Sequence, residues 1–505
     1  MSKKNQNYTN RKQNRFQPER MRGNVFVNNS GKQWLPGENG RAAKVERLLR
    51  GAKEEKKEIA GNMAGYKETG LEWMKNLPAG WKVLRIKDVI EQNKNGIKIG
   101  PFGSSLSNKT LAAGPYNVYG QANLIKNSFL LTKHAIDENL FKKLSSYEVY
   151  PGDICVSMMG TIGKCKVVPE NIKRGIMDSH LIKLRLSKEI ALPSFFEYAY
   201  DKDNCDICFT QMQYEKVGVI MDGLNTSIVK KLHIPVPPLP EQQRIADFLD
   251  TKCGILDRTI DAVSRQIEDL EKYKKALITK TVTKGICKKG EPERAMKDSG
   301  VEWIGEDIPF DWDINRLQFC IDEISERNYA GKETHILSLM KDKGVIPYEE
   351  KGRVGNISKT DVTQYKLAYP NTLITNSMNI IIGSSGISQY KGCVSPAYYV
   401  FKAKPNNDIR YFNYIFAVRA FQNECRRFAN GILEIRLRIS STNLLKIKVP
   451  VPSPEEQQQI ADYLDEKCKN IDNRVQKRRQ QLEWLKEYKK SLIFDYVTGK
   501  KRVEK

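Results

Sequence analysis

Apolar residues recur at alternating steps of four and three along two long stretches of this chain. In the first, Leu249, Cys253, Leu256, Ile260, Val263, Ile267, Leu270 and Leu277 form a heptad seam that Lys274 interrupts. In the second, Leu464, Cys468, Ile471, Val475, Leu482, Leu485 and Leu492 repeat it, interrupted by Arg478 and Lys489. Such spacing keeps one helix face apolar, and each stretch of about 45 residues predicts a helix roughly 65 Å long at 1.5 Å per residue. Both starts are marked by proline, in Pro235 to Pro240 and Pro450 to Pro454. Proline is tolerated there because the first helical N–H has no partner, and Glu241 or Glu455 and Glu456 suit the positive helix end. A seam this long exceeds what a small domain can cover, so the two helices are predicted to bury each other as an antiparallel coiled coil. Such a pair would act as a spacer.

Between the helices the period changes. Residues 66–240 carry short β-branched runs broken by Gly and Pro, such as VLRI, YNVYG, DICVSMMG and HLIKLRL, with a helix predicted between Pro193 and Tyr214. Residues 286–454 repeat that texture, with strands predicted at THILSL, TLITNS, IIIGSS and YYVFKA and a helix from Ile409 to Phe428. The class is therefore α+β, with compact domains rather than alternating βαβ units. Residues 1–65, rich in Asn, Gln, Lys and Arg, read as a flexible basic arm with a short helical candidate at Arg41 to Ile59. The expected order is arm 1–65, domain 66–240, helix 241–285, domain 286–454 and helix 455–499.

The chain is also duplicated. IPVPPLPEQQRIADFLDTKCGILD from Ile234 matches VPVPSPEEQQQIADYLDEKCKNID from Val449, and the match runs without a gap to Val282-Thr283 and Val497-Thr498. The offset is 215 residues, from Ile245 to Ile460. Before each domain a shorter echo aligns Gly70, Glu72, Trp73, Pro78 and Trp81 with Gly300, Glu302, Trp303, Pro309 and Trp312. The domains between these paired signatures are not recognisably alike. Duplicated halves imply pseudo-twofold symmetry.

Charge narrows the partner. With 84 Lys and Arg against 60 Asp and Glu, the net charge of +24 calls for a polyanion. No segment approaches the roughly 18 apolar residues that span a bilayer, and the N-terminus lacks a signal-peptide core, so no membrane and a cytoplasmic location are expected. The ten cysteines then read as free, mostly buried thiols, and Cys205-Asp-Ile-Cys208 lacks the second pair that a zinc site needs. Nucleotide and catalytic signatures are missing: Gly160-Thr-Ile-Gly163-Lys164 is too short for a phosphate loop and ends in Cys165. His180, where a strand begins, has no carboxylate or Cys at useful spacing and reads as structural or DNA-contacting. No catalytic residue and no metal site are expected.

Two dissimilar domains, each closed by a proline-rich E-Q-x-x-I-A-D-[FY]-L-D segment and a long helix, resemble the DNA-specificity subunit of type I restriction-modification systems. The resemblance covers about residues 66–499. It extends to Gly152-Asp153-Ile-Cys-Val-Ser157, Gly160-Thr-Ile-Gly163 and SHLIKLRL, which is similar to the family's target-recognition core, and to VSPAYYVF from Val394. It implies that each domain reads half of a split double-stranded DNA site and that the helices set the distance between halves. It implies two methyltransferase subunits, two motor-nuclease subunits for cleavage, and S-adenosylmethionine, ATP and Mg²⁺ bound by those partners, with no cofactor in this chain. Two other readings stand beside it: a basic coiled-coil scaffold for nucleic acid, and a self-sufficient restriction or methylation enzyme.

Amide and guanidinium groups read base edges best, because they make paired hydrogen bonds to adenine or guanine. In the first domain the candidates are Ser104, Ser105, Gln121, Asn123, Lys126, Arg174 and His180. In the second they are Asn376, Asn379, Tyr390, Arg436 and Arg438, with Ser384 and Ser385 beside them and Arg426 and Arg427 as a phosphate clamp. One heptad inserted after Leu256 is expected to change the spacer alone.

Overall fold

The computed structural model describes residues 65–503 except 72, 102–105, 107–110, 112–113, 131, 133, 216–223, 287–293, 306, 341–342, 353–360 and 430–436. The arm, with its helical candidate, lies outside the described residues apart from Gly65, as do Ser104, Ser105 and Arg436. A small unit, residues 65–70 with 75–79, is a hairpin of β1 (Tyr66–Leu71) and β2 (Met74–Pro78), closed by Ala79 N donating to Gly65 O at 2.7 Å. The rest of the described chain forms a second unit.

In that unit the first domain opens with β3 (Lys82–Arg85) and builds an antiparallel sheet from β4 (Ile97–Ile99), β7 (Ile154–Ser157), β8 (Cys165–Val167) and β10 (Leu181–Leu184), in the order β4-β10-β7-β8. A second sheet pairs β5 (Tyr116–Tyr119) antiparallel with β6 (Ala135–Ile136) and parallel with β9 (Gly175–Met177). Helix α1 (Gln121–Ile125) follows β5; helices α2 (Pro193–Tyr200) and α3 (Ile207–Glu215) follow β10. The single helix expected from Pro193 to Tyr214 is thus two. The break is at Asp201, extended at φ −61°, ψ 125°, whose carboxylate accepts from Cys165 N and Asp203 N. Strand β11 (His233–Val236) returns to pair with β3 and leads into the long helix α4 (Leu239–Lys284).

The second domain repeats this plan without repeating its sequence. After hairpin β12 (Met296–Asp298) and β13 (Asp307–Pro309), strand β14 (Asp313–Arg316) will pair with the domain's last strand. Strands β15 (Ile321–Glu323), β19 (Leu373–Asn376), β20 (Ser385–Ile387) and β22 (Tyr398–Ala403) form an antiparallel sheet in the order β15-β22-β19-β20. That is the first sheet's order, first strand, last, second, third. Hairpin β16 (Leu337–Met340) with β17 (Gly344–Pro347) and pair β18 (Lys366–Ala368) with β21 (Gly392–Val394) lie alongside. Ile380–Ile382, expected as a strand, is a 3₁₀ turn ended by Gly383 at φ +82°. The helix expected from Ile409 to Phe428 is two, α5 (Ile409–Ala417) and α6 (Arg419–Arg427), separated by extended Val418. Strand β23 (Lys448–Val451) pairs with β14 in the register that joins β11 to β3 and leads into α7 (Pro454–Val497).

The two long helices pack antiparallel. Phe248 packs on Tyr496 at 4.5 Å, Asp257 bonds Lys489 at 2.6 Å, Glu271 bonds Arg479 at 2.8 Å and Asp472 bonds Lys274 at 2.6 Å, so numbers rise on α4 as they fall on α7. Lys489 and Asp472 are the duplicates of Lys274 and Asp257. One bridge therefore maps onto the other when the helices exchange places, which is pseudo-twofold symmetry. Leu249, Leu256, Val263, Leu464, Ile471, Val475 and Leu485 are buried in the seam, while Ile260, Ile267, Leu270 and Leu482 are half-buried. The interrupting lysines cross to carboxylates on the opposite helix and so cap the apolar seam.

Each domain is tied to the start of its own helix in the same way. Trp81 Nε1 donates to Glu241 at 3.0 Å and Trp312 Nε1 to Glu456 at 2.9 Å. Gln242 accepts from Leu192 N, just before α2, at 2.8 Å; Gln457 accepts from Asp408 N, just before α5, at 3.0 Å. Each domain also touches the far end of the other helix. Lys490 bonds Asp206 at 2.9 Å, and the Tyr411 hydroxyl lies 3.1 Å from the Val282 carbonyl.

Candidate nucleic-acid interface

In each sheet the hairpin that joins a central strand to the edge strand beside it ends in a tip built on a left-handed glycine. In the first domain β7 and β8 are joined through Met158 to Lys164, with Gly160 at φ +64° and Gly163 at +83°. Ser157 Oγ donates to Thr161 O, and Lys164 N donates back to Ser157 Oγ at 3.0 Å, so one buried hydroxyl staples the turn. In the second domain β19 and β20 are joined through Ser377 to Ser384, with Gly383 left-handed, and Thr375 Oγ1 donates to Ser384 O at 2.8 Å.

The first tip gathers two sequence candidates. A Cβ on Gly160 would stand 3.3 Å from Gln121 Nε2, and Met158 N donates to His180 O at 2.9 Å, so Gln121 and His180 flank the turn. The Gln121 amide makes no hydrogen bond among the described residues. His180 is half exposed, its Nδ1 3.3 Å from Asp178 and its N–H donating to that carboxylate at 2.8 Å. Burial holds the Asp178 carboxyl above its usual range. Lys126, exposed at the end of α1, lies about 7 Å further along.

Two other first-domain candidates sit elsewhere. Asn123 is buried, its Oδ1 accepting from Gly120 N at 2.9 Å and its Nδ2 donating to Ser128 O at 3.0 Å. Both polar atoms of its amide are engaged within its own turn. Arg174 stands just before β9, at the opposite end of that strand from the turn that carries His180. Its guanidinium pairs with Glu148 at 2.8 Å over the Tyr116 and Phe141 rings.

The second tip gathers Asn376, Asn379 and Arg438. Asn376 Oδ1 accepts from Met378 N at 3.0 Å, and Asn379 is exposed at the entry to the 3₁₀ turn. Ile439 N donates to Ser377 O at 3.2 Å, which places exposed Arg438 beside the turn. Ser384 is buried and serves the tip through its carbonyl, whereas Ser385 begins β20. Tyr390 stands at the opposite end of β20, edge-on to His335 at 5.9 Å. Arg426 and Arg427 close α6, and Arg427 bonds Glu302 and Glu424, so that guanidinium is already neutralised.

Sequence reasoning missed Arg419, whose guanidinium donates to Ile381 O at 3.3 Å and braces the second tip. It also missed the equivalence of the tips, since GTIG and NIIIG do not align. The available signal was a β-branched run ended by a glycine in both, Thr161-Ile162-Gly163 and Ile380-Ile381-Ile382-Gly383. Cys205 and Cys208 are buried, and burial pushes the Cys205 thiol up to about 12. Among the described residues no cluster of three potential ligands could hold a metal, and no helix is long and apolar enough to cross a membrane.

A family model described as the type I restriction modification DNA specificity domain matches residues 78–272 and again 316–483. Over 451 residues the chain is 26% identical to a putative type I restriction enzyme MjaX specificity subunit of Methanocaldococcus jannaschii, covering 85% of this chain and 95% of that protein. Over 345 residues it is 27% identical to the type I restriction enzyme MjaVIII specificity subunit of the same organism, covering 66% and 76%. A solved structure described as the structural basis underlying complex assembly and conformational transition of the type I R-M system superposes with a TM-score of 0.60 at 15% identity. It covers 84% of this chain and 99% of that one, and the likeness is one of fold.

Proposed function

This chain belongs to the type I restriction-modification DNA specificity family, and on that premise we propose how its parts divide the work of recognition. Each globular domain reads one half of a bipartite double-stranded DNA site through its hairpin tip and the residues flanking it. Gln121 and His180 serve one half, Asn376, Asn379 and Arg438 the other. The helix pair fixes the distance between halves and docks two methyltransferase subunits, with two motor-nuclease subunits joining for cleavage. S-adenosylmethionine, ATP and Mg²⁺ belong to those partners.

The observation that carries this reading is the contrast between frame and tip. The same strand order, the same Trp–Glu and Gln contacts and one symmetric helix pair recur in both halves, while the side chains at the equivalent tips differ in kind. A split target needs readers free to diverge on a frame that holds register along the duplex. Polar side chains that keep an open donor or acceptor at a tip, such as the Gln121 amide among the described residues, can make paired hydrogen bonds in the major groove, and the excess of Lys and Arg supplies phosphate attraction.

Replacing residues 66–240 with the corresponding domain of another such subunit tests the division. Methylation by the reconstituted complex should change in one half of the motif only. A change in both halves, or in spacing alone, would refute it.

A further inference from the structure

A third contact between each domain and its helix recurs in both halves, and one partner in each lies outside the aligned signatures. The Tyr198 hydroxyl, on α2, donates to Asp250 Oδ1 at 2.7 Å. The Tyr414 hydroxyl, on α5, donates to Asp465 Oδ1 at 2.6 Å. Asp250 and Asp465 are duplicates; the tyrosines come from domains that share little else in sequence. Beside each pair a duplicated thiol, Cys253 or Cys468, is buried against the helix–domain junction.

The bond is short, directional and accepted by a carboxylate, so it holds its geometry better than a neutral contact. It is also placed to prevent rotation. Gln242 and Gln457 anchor the residue just before α2 or α5 to the first turn of the long helix; the tyrosine bond lies eight residues further along, about 12 Å at 1.5 Å per residue. With the Trp–Glu bonds, and in the second domain the Arg410 bonds to Asp462 and Asp465, these points on one rigid helix fix the angle of the domain upon it. A tilt of about 10° carried across a domain of roughly 20–30 Å moves its far surface by about 3–5 Å, one base-pair step or more.

We infer that Tyr198–Asp250 and Tyr414–Asp465 are positioning pairs that set how strictly the complex enforces the distance between half-sites, without choosing the bases in either half. This rests on the reading that each domain recognises one half-site.

The test uses the full chain assembled with its methyltransferase subunits and DNA in which both half-sites are fixed. Spacers are one base pair shorter than, equal to, and one longer than the wild-type preference. The double variant Y198F/Y414F keeps both rings and loses both bonds. It should raise methylation at the wrong spacers relative to the right one by about tenfold, the scale of one hydrogen bond to a charged group, with half-sites unchanged. The variant D250N/D465N, which removes the carboxylate charge at both sites and with it the Arg410 bond to Asp465, should shift the ratio in the same direction. An unchanged ratio in Y198F/Y414F, or an equal loss of methylation at every spacer, would assign the pairs to stability alone and overturn the inference. If wild type itself shows no fixed spacer, the half-site reading fails first and the inference with it.

Discussion

Asp178 shows how much a single side chain can set at a recognition tip. It orients His180 through two contacts, yet burial lifts its carboxyl above the ordinary range, so the folded chain holds that proton more tightly than the unfolded one. The stability gained this way is present in acid and is lost as pH rises through the raised value, leaving the buried carboxylate a net cost at neutral pH. An asparagine in its place could still accept from the His180 N–H. D178N should therefore raise the melting temperature at pH 7 and flatten the acid side of the stability profile. Asp153 is held by cations. Fully buried, it accepts two bonds from Arg185 at 2.7 and 2.9 Å and lies 3.7 Å from buried Lys183. D153A strands these cations and should cost about 3–5 kcal/mol in denaturant unfolding. At the tips, Q121A should weaken discrimination in one half-site by about 1–3 kcal/mol and R438A in the other, read as methylation against single-base variants. The sequence pointed to both residues because amide and guanidinium groups suit base edges. It also offered Asn123, whose inward turn depends on a five-residue helix that no periodicity reveals.

The long helices were the most legible elements, because a heptad seam states which face is buried before any fold is known. What the seam did not state was the meaning of its interruptions. Lys274 and Lys489 look like defects in one helix and become matched bridges once the partner helix runs antiparallel. They are partly exposed and should contribute modestly, up to about 1 kcal/mol each. Leu464, fully buried in the second domain's core, should cost about 2–5 kcal/mol on truncation to Ala, and half-buried Leu482 clearly less, by the same unfolding measurement. Antiparallel pairing also revises the heptad insertion after Leu256. Added to α4 alone, it would pull Lys274 from Asp472 and Val282 from Tyr411. Matched heptads beside Gln266 and Gln481, where the pairing has its midpoint, keep every facing pair and should lengthen the spacer with half-sites unchanged.

On the proposed reading the chain is two unlike readers on one symmetric ruler. Duplication of the helices was visible as repeated residues, so two halves, their order and the pseudo-twofold relation followed from sequence. The repeated sheet order in the domains was not. Topology survives substitution wherever apolar strands remain apolar, and β7 and β19 share almost no residues while holding the same place. The Tyr–Asp pairs were hidden for a related reason: one partner of each lies in a region where alignment fails. Symmetry of frame with divergence of tip predicts one asymmetric, bipartite target at one spacing. Base-resolution methylation of a genome in cells carrying this chain with its methyltransferase subunits reads that directly. A single motif of two different half-sites at a fixed distance is the expected result; methylation at one undivided motif, or at half-sites without a fixed distance, would contradict it.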